Sequence, residues 1–140
     1  MPFIQWSDKF AIGVEQVDAQ HKRLFELAGA LYILAHGEDS GPALGDSLNE
    51  LVEYTRYHFQ SEEALMLEYG YHRLDAHKLE HDALARQALD FRTRFARGEA
   101  VSVDEFLGFV YAWLTRHIMD QDKKVGAYIE LERLKPGRKD

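Results

Sequence analysis

Seven histidines are spread over 140 residues, and most fall at spacings that a metal site uses. His58 and Glu62 are four apart, and His77 and His81 repeat that interval. Four residues advance an α-helix by about 400°, leaving such side chains only about 40° apart on one face. Each pair could hold one metal together. His21 and His117 stand singly, each in phase with the apolar residues beside it. A lone inward histidine is ordinarily a hydrogen-bonded core residue, and a lone His–Glu pair ordinarily lies on a surface. Five inward histidines with acidic partners are a different case, because uncompensated burial of so many polar groups is costly. The set points to metal. His36 and His72 fall outside it. His36 precedes Gly37 and is expected to face the last carbonyls of its helix. His72 opens a helix out of core phase.

The chain has no cysteine, which removes thiolate sites, disulfides and thiol catalysis together. Imidazole plus carboxylate suits iron, zinc, manganese or copper. The ligand set exceeds what one tetrahedral zinc needs. No histidine has Glu three residues before it, so the Glu-x-x-His pair of carboxylate-rich di-iron bundles is absent. His-Glu-x-x-His, the zinc-protease signature, is absent too.

The elements that must position these side chains are helices. From Asp18 to His36 the residues Leu24, Leu27, Leu31 and Leu34 recur at threes and fours, and Gly37 ends the run. Ser40-Gly41-Pro42 opens a second block, whose face Leu44, Leu48, Leu51, Thr55, His58, Glu62 and Leu65 continues to Gly70. A third block runs from about His72 to Arg97 and stops at Gly98. Ser102-Val103-Asp104-Glu105 matches a capping box and starts the fourth helix, which continues through His117. A short helix is expected from Lys123 to Leu134, with Pro136 to Asp140 frayed. Four helices of roughly 20–28 residues, joined by short loops, make neighbours antiparallel. The expected fold is all-α, an up-down-up-down antiparallel four-helix bundle with an N-terminal arm and a short C-terminal helix. It forms one domain: arm 1–17, bundle about 18–121, C-terminal segment 122–140.

Composition agrees with a folded, soluble chain: 46% hydrophobic and 29% charged residues leave enough of both for a core and a wet surface. A net charge of −7 argues against nucleic acid as a partner. The first residues lack a basic region followed by an apolar stretch, so no secretory signal is expected. The apolar runs Leu27–Ala35 and Phe106–Leu114 are about half a membrane span, so no membrane insertion is expected. A cytoplasmic location follows, and the lack of a wide exposed apolar stripe favours a monomer.

Four stretches together carry a resemblance to the hemerythrin family, and in particular to its single-domain bacterial members. They are Asp18-Ala19-Gln20-His21, His58-Phe59-Gln60-Ser61-Glu62-Glu63, His77-x-x-x-His81 and His117-Ile118-Met119-Asp120-Gln121-Asp122, with Trp6-Ser7 of the arm also similar. The resemblance implies two iron ions (Fe2+/Fe3+) bridged by oxide or hydroxide, Glu62 and Asp122. His77, His81 and His117 would hold one iron, and His21 and His58 the other. Helix geometry alone does not select Asp122. It lies five residues after His117, about 140° away on a regular helix, whereas Asp120 lies only about 60° away. The family pattern therefore requires the helix to bulge or unwind between 117 and 122. Glu63 is the lesser rival of Glu62, because it rotates away from His58.

Five imidazoles, two bridging carboxylates and one shared oxygen leave a single position open on two six-coordinate irons, on the one with two histidines. The resemblance thus implies reversible O2 binding, for oxygen carriage, storage or delivery. Around the open position Leu24, Phe59, Trp113, Leu114 and Ile118 are expected as an apolar O2 pocket that keeps water and protons out. An O2 or redox sensor acting through a separate partner protein is the alternative. A di-iron oxidase or peroxidase ranks lower, since no proton donor is evident near the vacancy. Tyr32, Tyr54 and Tyr111 could approach the core but are expected to keep their hydroxyls at its rim. No catalytic residue is assigned. An oxygen-consuming enzyme or a reductase would be the protein partner.

Overall fold

The computed structural model describes residues 5–37 and 41–136. Four helices form the body: α1 Glu15–Ala35, α2 Gly41–Glu68, α3 Leu74–Ala96 and α4 Val103–Arg116. α4 runs on through a π-helical segment, His117–Asp122, into α5, Lys123–Arg133. No strand occurs among the described residues. α1 packs on α2, α2 on α3, α3 on α4, and α4 back on α1. The short connections after α2 and α3 turn each helix antiparallel to the next, giving the four-helix bundle.

Local chemistry sets the boundaries. Gly70 and Gly98 adopt φ of 66° and 77° just past α2 and α3, where a side chain would be strained. Ser102 caps α4 by accepting a hydrogen bond from the Glu105 backbone N–H at 3.1 Å. α2 begins at Gly41, so Pro42 lies in its first turn. Ser40 of the expected opening lies outside the described residues, as do residues 1–4 of the arm and Gly137–Asp140 of the tail.

α1 begins at Glu15, three residues before the expected start at Asp18. The Asp18 carboxylate accepts the backbone N–H of Ile12 at 2.8 Å and of Gly13 at 3.3 Å, which ties the arm to the first turn. The arm then lays Phe10, Ile12 and Val14 into the core. It crosses α5 where Gly126 leaves room, since a methyl at Gly126 would collide with the Ile12 carbonyl oxygen.

The interior has two halves. Leu31, Leu48, Leu51, Ala88 and Phe106 fill one, with Phe91 stacked on Phe106 at 4.4 Å between centroids. The other contains buried polar residues from α1, α2, α3 and the π-helical segment that follows α4. Exposed large apolar residues such as Ile33, Leu67, Leu79 and Leu131 come from separate elements. No helix among the described residues is long and apolar enough to cross a membrane.

Candidate metal centre

The periodicity that places leucines inward in one half places histidines inward in the other. α1 brings His21, α2 brings His58 and Glu62, and α3 brings His77 and His81. The π segment brings His117 and Asp122. All seven are buried, with His21, His58, Glu62 and Asp122 completely so.

The π segment puts Asp122, and not Asp120, among the buried histidines. The Lys123 backbone N–H bonds back to the Ile118 carbonyl, five residues earlier. That i to i+5 register stacks residues five apart, so Asp122 comes under His117 while Asp120 faces solvent. The expected bulge is therefore a single wide turn rather than an unwound stretch.

The side chains divide into two groups that share Glu62 and Asp122: His77, His81 and His117 form one, His21 and His58 the other. Each carboxylate turns one oxygen to each group. Glu62 Oε1 lies 2.8 Å from His77 Nε2 and 3.3 Å from His81 Nε2, while its Oε2 lies 3.3 Å from His58 Nε2. Asp122 Oδ1 lies 3.0 Å from His117 Nε2 and 3.1 Å from His77 Nε2, and its Oδ2 3.0 Å from His21 Nε2. Within the three-histidine group, His117 Nε2 is 3.0 Å from both His77 Nε2 and His81 Nε2.

These are not hydrogen bonds of an ordinary core. Both Glu62 oxygens, both Asp122 oxygens and Nε2 of His21 and His58 are buried without a hydrogen-bond partner. Their lone pairs converge on the space between the groups rather than on one another. Octahedral donors with bonds of about 2.1 Å stand about 3.0 Å apart, the spacing seen here. The donor set fits two metal ions.

Electrostatics states the same demand for positive charge. Without metal, burial pushes the His21, His77 and His117 pKa values down, but the Glu62 and Asp122 carboxylates outweigh it and raise each to about 9. Protons then do the work of a cation. Burial, and the charge of neighbouring His21, hold His58 below its ordinary value. Desolvation opposes charge on both carboxylates, yet the histidines facing Glu62 and Asp122 hold both well below the usual carboxylate range.

Three outer partners go beyond the sequence reading, which weighs Glu63 only as a rival of Glu62 and gives Gln20 and Glu80 no role. His58 Nδ1–H donates to Gln20 Oε1 at 2.7 Å, His81 Nδ1–H to Glu63 Oε2 at 2.8 Å, and His117 Nδ1–H to Glu80 Oε1 at 2.8 Å. Each bond holds Nδ1 outward, so that Nε2 is the ring nitrogen that faces inward. Gln20 is oriented in turn, its amide donating to Ser61 Oγ at 3.0 Å. The available signal was position, because Gln20, Glu63 and Glu80 immediately adjoin His21, Glu62 and His81.

The five apolar residues expected near the open position are all buried. Phe59 stacks on His81 at 4.0 Å and meets Trp113 edge-on at 5.4 Å, so it lies against the three-histidine group. His36 and His72 are outside the cluster and exposed. His36 does not face the carbonyls of α1: its Nε2 meets Asp104 Oδ1, in the first turn of α4, at 2.8 Å. An acidic side chain across the bundle competes better for an exposed imidazole than the carbonyls of its own helix end.

The Hemerythrin HHE cation binding domain family matches residues 12–129. The bacteriohemerythrin of Clostridium acetobutylicum is 33% identical over 123 residues, covering 85% of this chain and 95% of its own. That of Methylococcus capsulatus is 35% identical over 127 residues, covering 90% and 96%. A bacteriohemerythrin of Pseudomonas paraeruginosa is 37% identical over 122 residues, covering 87% and 78%. The crystal structure of wild-type hemerythrin superposes with a TM-score of 0.85 at 34% identity, covering 90% of this chain and 97% of that one. A buried five-histidine, two-carboxylate cluster on a four-helix bundle, matched across nearly the whole chain, has one reading: the chain belongs to the hemerythrin family.

Proposed function

We propose that this protein binds O2 reversibly at a non-haem di-iron centre and serves oxygen carriage, storage or delivery. The observation that carries the reading is the division of five buried histidines, three and two, about a shared pair of carboxylates. His77, His81 and His117 would hold one iron, and His21 and His58 the other. Glu62 and Asp122, which belong to both groups, would be shared between the two irons, with an oxide or hydroxide completing the centre. Iron supplies one electron from each of two metals, which lets O2 bind and leave again.

The chain supplies the rest. The outer hydrogen bonds of His58, His81 and His117 orient imidazoles before any metal arrives. Leu24, Leu114 and Ile118 are fully buried, and Phe59 and Trp113 nearly so. Leu24, Leu114 and Ile118 would line the O2 pocket, with Phe59 and Trp113 packed beside the three-histidine group. Together they exclude water, which favours release of O2 over further reaction. No residue is assigned a catalytic role. On this reading the protein is a cytoplasmic monomer whose protein partner is an oxygen-consuming enzyme or a reductase.

Anaerobic loading should give two irons per chain. Air should then produce a visible absorption band that disappears under vacuum and returns over repeated cycles. One zinc per chain, with no iron in protein from iron-replete cells, would overturn the di-iron reading. An irreversible change coupled to oxidation of an added substrate would overturn the carrier reading.

A further inference from the structure

The outer hydrogen bonds follow a rule around the bundle. Gln20 on α1 locks His58 on α2; Glu63 on α2 locks His81 on α3; Glu80 on α3 locks His117 in the π segment after α4. One residue of an α-helix turns the next by about 100°. The neighbour of an inward residue therefore reaches sideways, into the seam with the following helix. α1, α2 and α3 thus each set, beside an inward side chain of the cluster, the residue that orients a histidine on the following element.

The partners are chemically unequal. Both locks on the three-histidine group are carboxylates, whereas His58 in the two-histidine group is locked by a neutral amide. His21 Nδ1 is buried without a hydrogen-bond partner. A carboxylate accepting Nδ1–H polarises the ring and makes its Nε2 a stronger donor; an amide does so less.

We infer that Glu63 and Glu80 are positioning residues that strengthen His81 and His117 as donors, so that the two metal positions differ in affinity and in preference for Fe(III). The three-histidine position holds its metal more tightly and favours the ferric state. The two-histidine position is the weaker and the more readily reduced. This inference rests on the di-iron reading and deepens it, since the position left open for O2 is also the one with the weaker donors.

The test is an anaerobic titration of the Fe(II)-loaded full-length protein with a competing chelator. Wild type should surrender its irons in two resolved steps. Glu63→Gln and Glu80→Gln keep an acceptor for Nδ1–H and remove only the charge. Each should weaken the tighter step roughly ten- to a hundredfold and leave the weaker step in place. Gln20→Glu should strengthen the weaker step alone. The same charge removal should shift one midpoint potential positive, by about 59 mV for each tenfold loss of ferric preference.

Wild-type release in a single step would overturn the inequality. Unchanged steps and potentials in both Glu→Gln variants would overturn the role of the carboxylates while leaving the di-iron site standing. A defect in Glu63→Ala without one in Glu63→Gln would reduce Glu63 to a hydrogen-bond acceptor and likewise overturn the inference. Fewer than two irons in the wild type would defeat the site reading itself, and this one with it.

Discussion

The two halves of the bundle interior follow the same helical periodicity and solve opposite problems. In the Leu31, Leu48 and Phe106 half, burial itself is favourable and each side chain needs only neighbours of the right shape. In the histidine half the five imidazoles and two carboxylates are buried polar groups, and their burial is unfavourable until something positive binds between them. The apolar half is complete as a packed core. The polar half calls for positive charge, and the Glu62 and Asp122 carboxylates accordingly raise the pKa values of His21, His77 and His117 against the effect of burial. One half holds the helices together, and the other uses that rigidity to keep seven donors in place.

Breaking the polar half should have the largest effect. His81→Ala should reduce iron below two per chain and abolish stabilisation by metal, about 4 kcal/mol where free metal exceeds Kd a thousandfold. Thermal melts with and without a chelator measure the difference, and equal melting shifts in variant and wild type would contradict it. Asp122→Ala should behave like His81→Ala, whereas Asp120→Ala, on the exposed side of the π segment, should keep two irons.

The next effect is pH dependence in the metal-free protein. His21, His77 and His117 titrate at about 9 when folded against an ordinary value of 6.5. Groups with a raised folded pKa contribute stability that is fully present below about 6.5 and lost as pH rises through about 9. The melting temperature of metal-free protein should fall across that window. Iron affinity should rise across it, because the ligands bind metal only when deprotonated. A flat metal-free profile would show that protons do not substitute for metal.

Leu48→Ala probes the apolar half, where Leu48 is 1% exposed. It should cost about 2–5 kcal/mol in chemical denaturation while two irons per chain are retained. Loss of iron in this variant would mean that the halves are not separable. Ser102→Ala removes only the cap of α4 and should cost about 1 kcal/mol with the metal content unchanged.

How much could be read beforehand differs between the halves for a physical reason. Apolar faces and helix ends are local, so Gly70, Gly98 and the Ser102 capping box mark them directly in the chain. The inward histidines obey the same local rule. Asp122 does not, because regular α geometry turns it away from His117, and only the family pattern pointed to it. The π turn is stable because the whole cluster gains from it, which no window of sequence reports. The early start of α1 has a similar cause: Val14 precedes the helix without a capping side chain, and Asp18 secures the arm from inside the first turn. The roles of Gln20, Glu63 and Glu80 are not legible along single faces, where Glu63 stands only as a rival of Glu62, because these residues act across the seams between helices.

The π segment also makes chain length itself adjustable at one place. A turn closed five residues back contains one residue more than an α turn spanning the same face. Shortening it by one would leave His117 and the carboxylate four apart on a regular helix, about 40° from alignment, with α5 still presenting Val125 and Ile129 inward. Met119 and Asp120 are both exposed and are therefore the residues the segment could lose. The same deletion between His77 and His81 would swing one imidazole about 100° out of the site. In a molecule whose donors are counted off residue by residue, the stretch from 117 to 122 is where the count has slack.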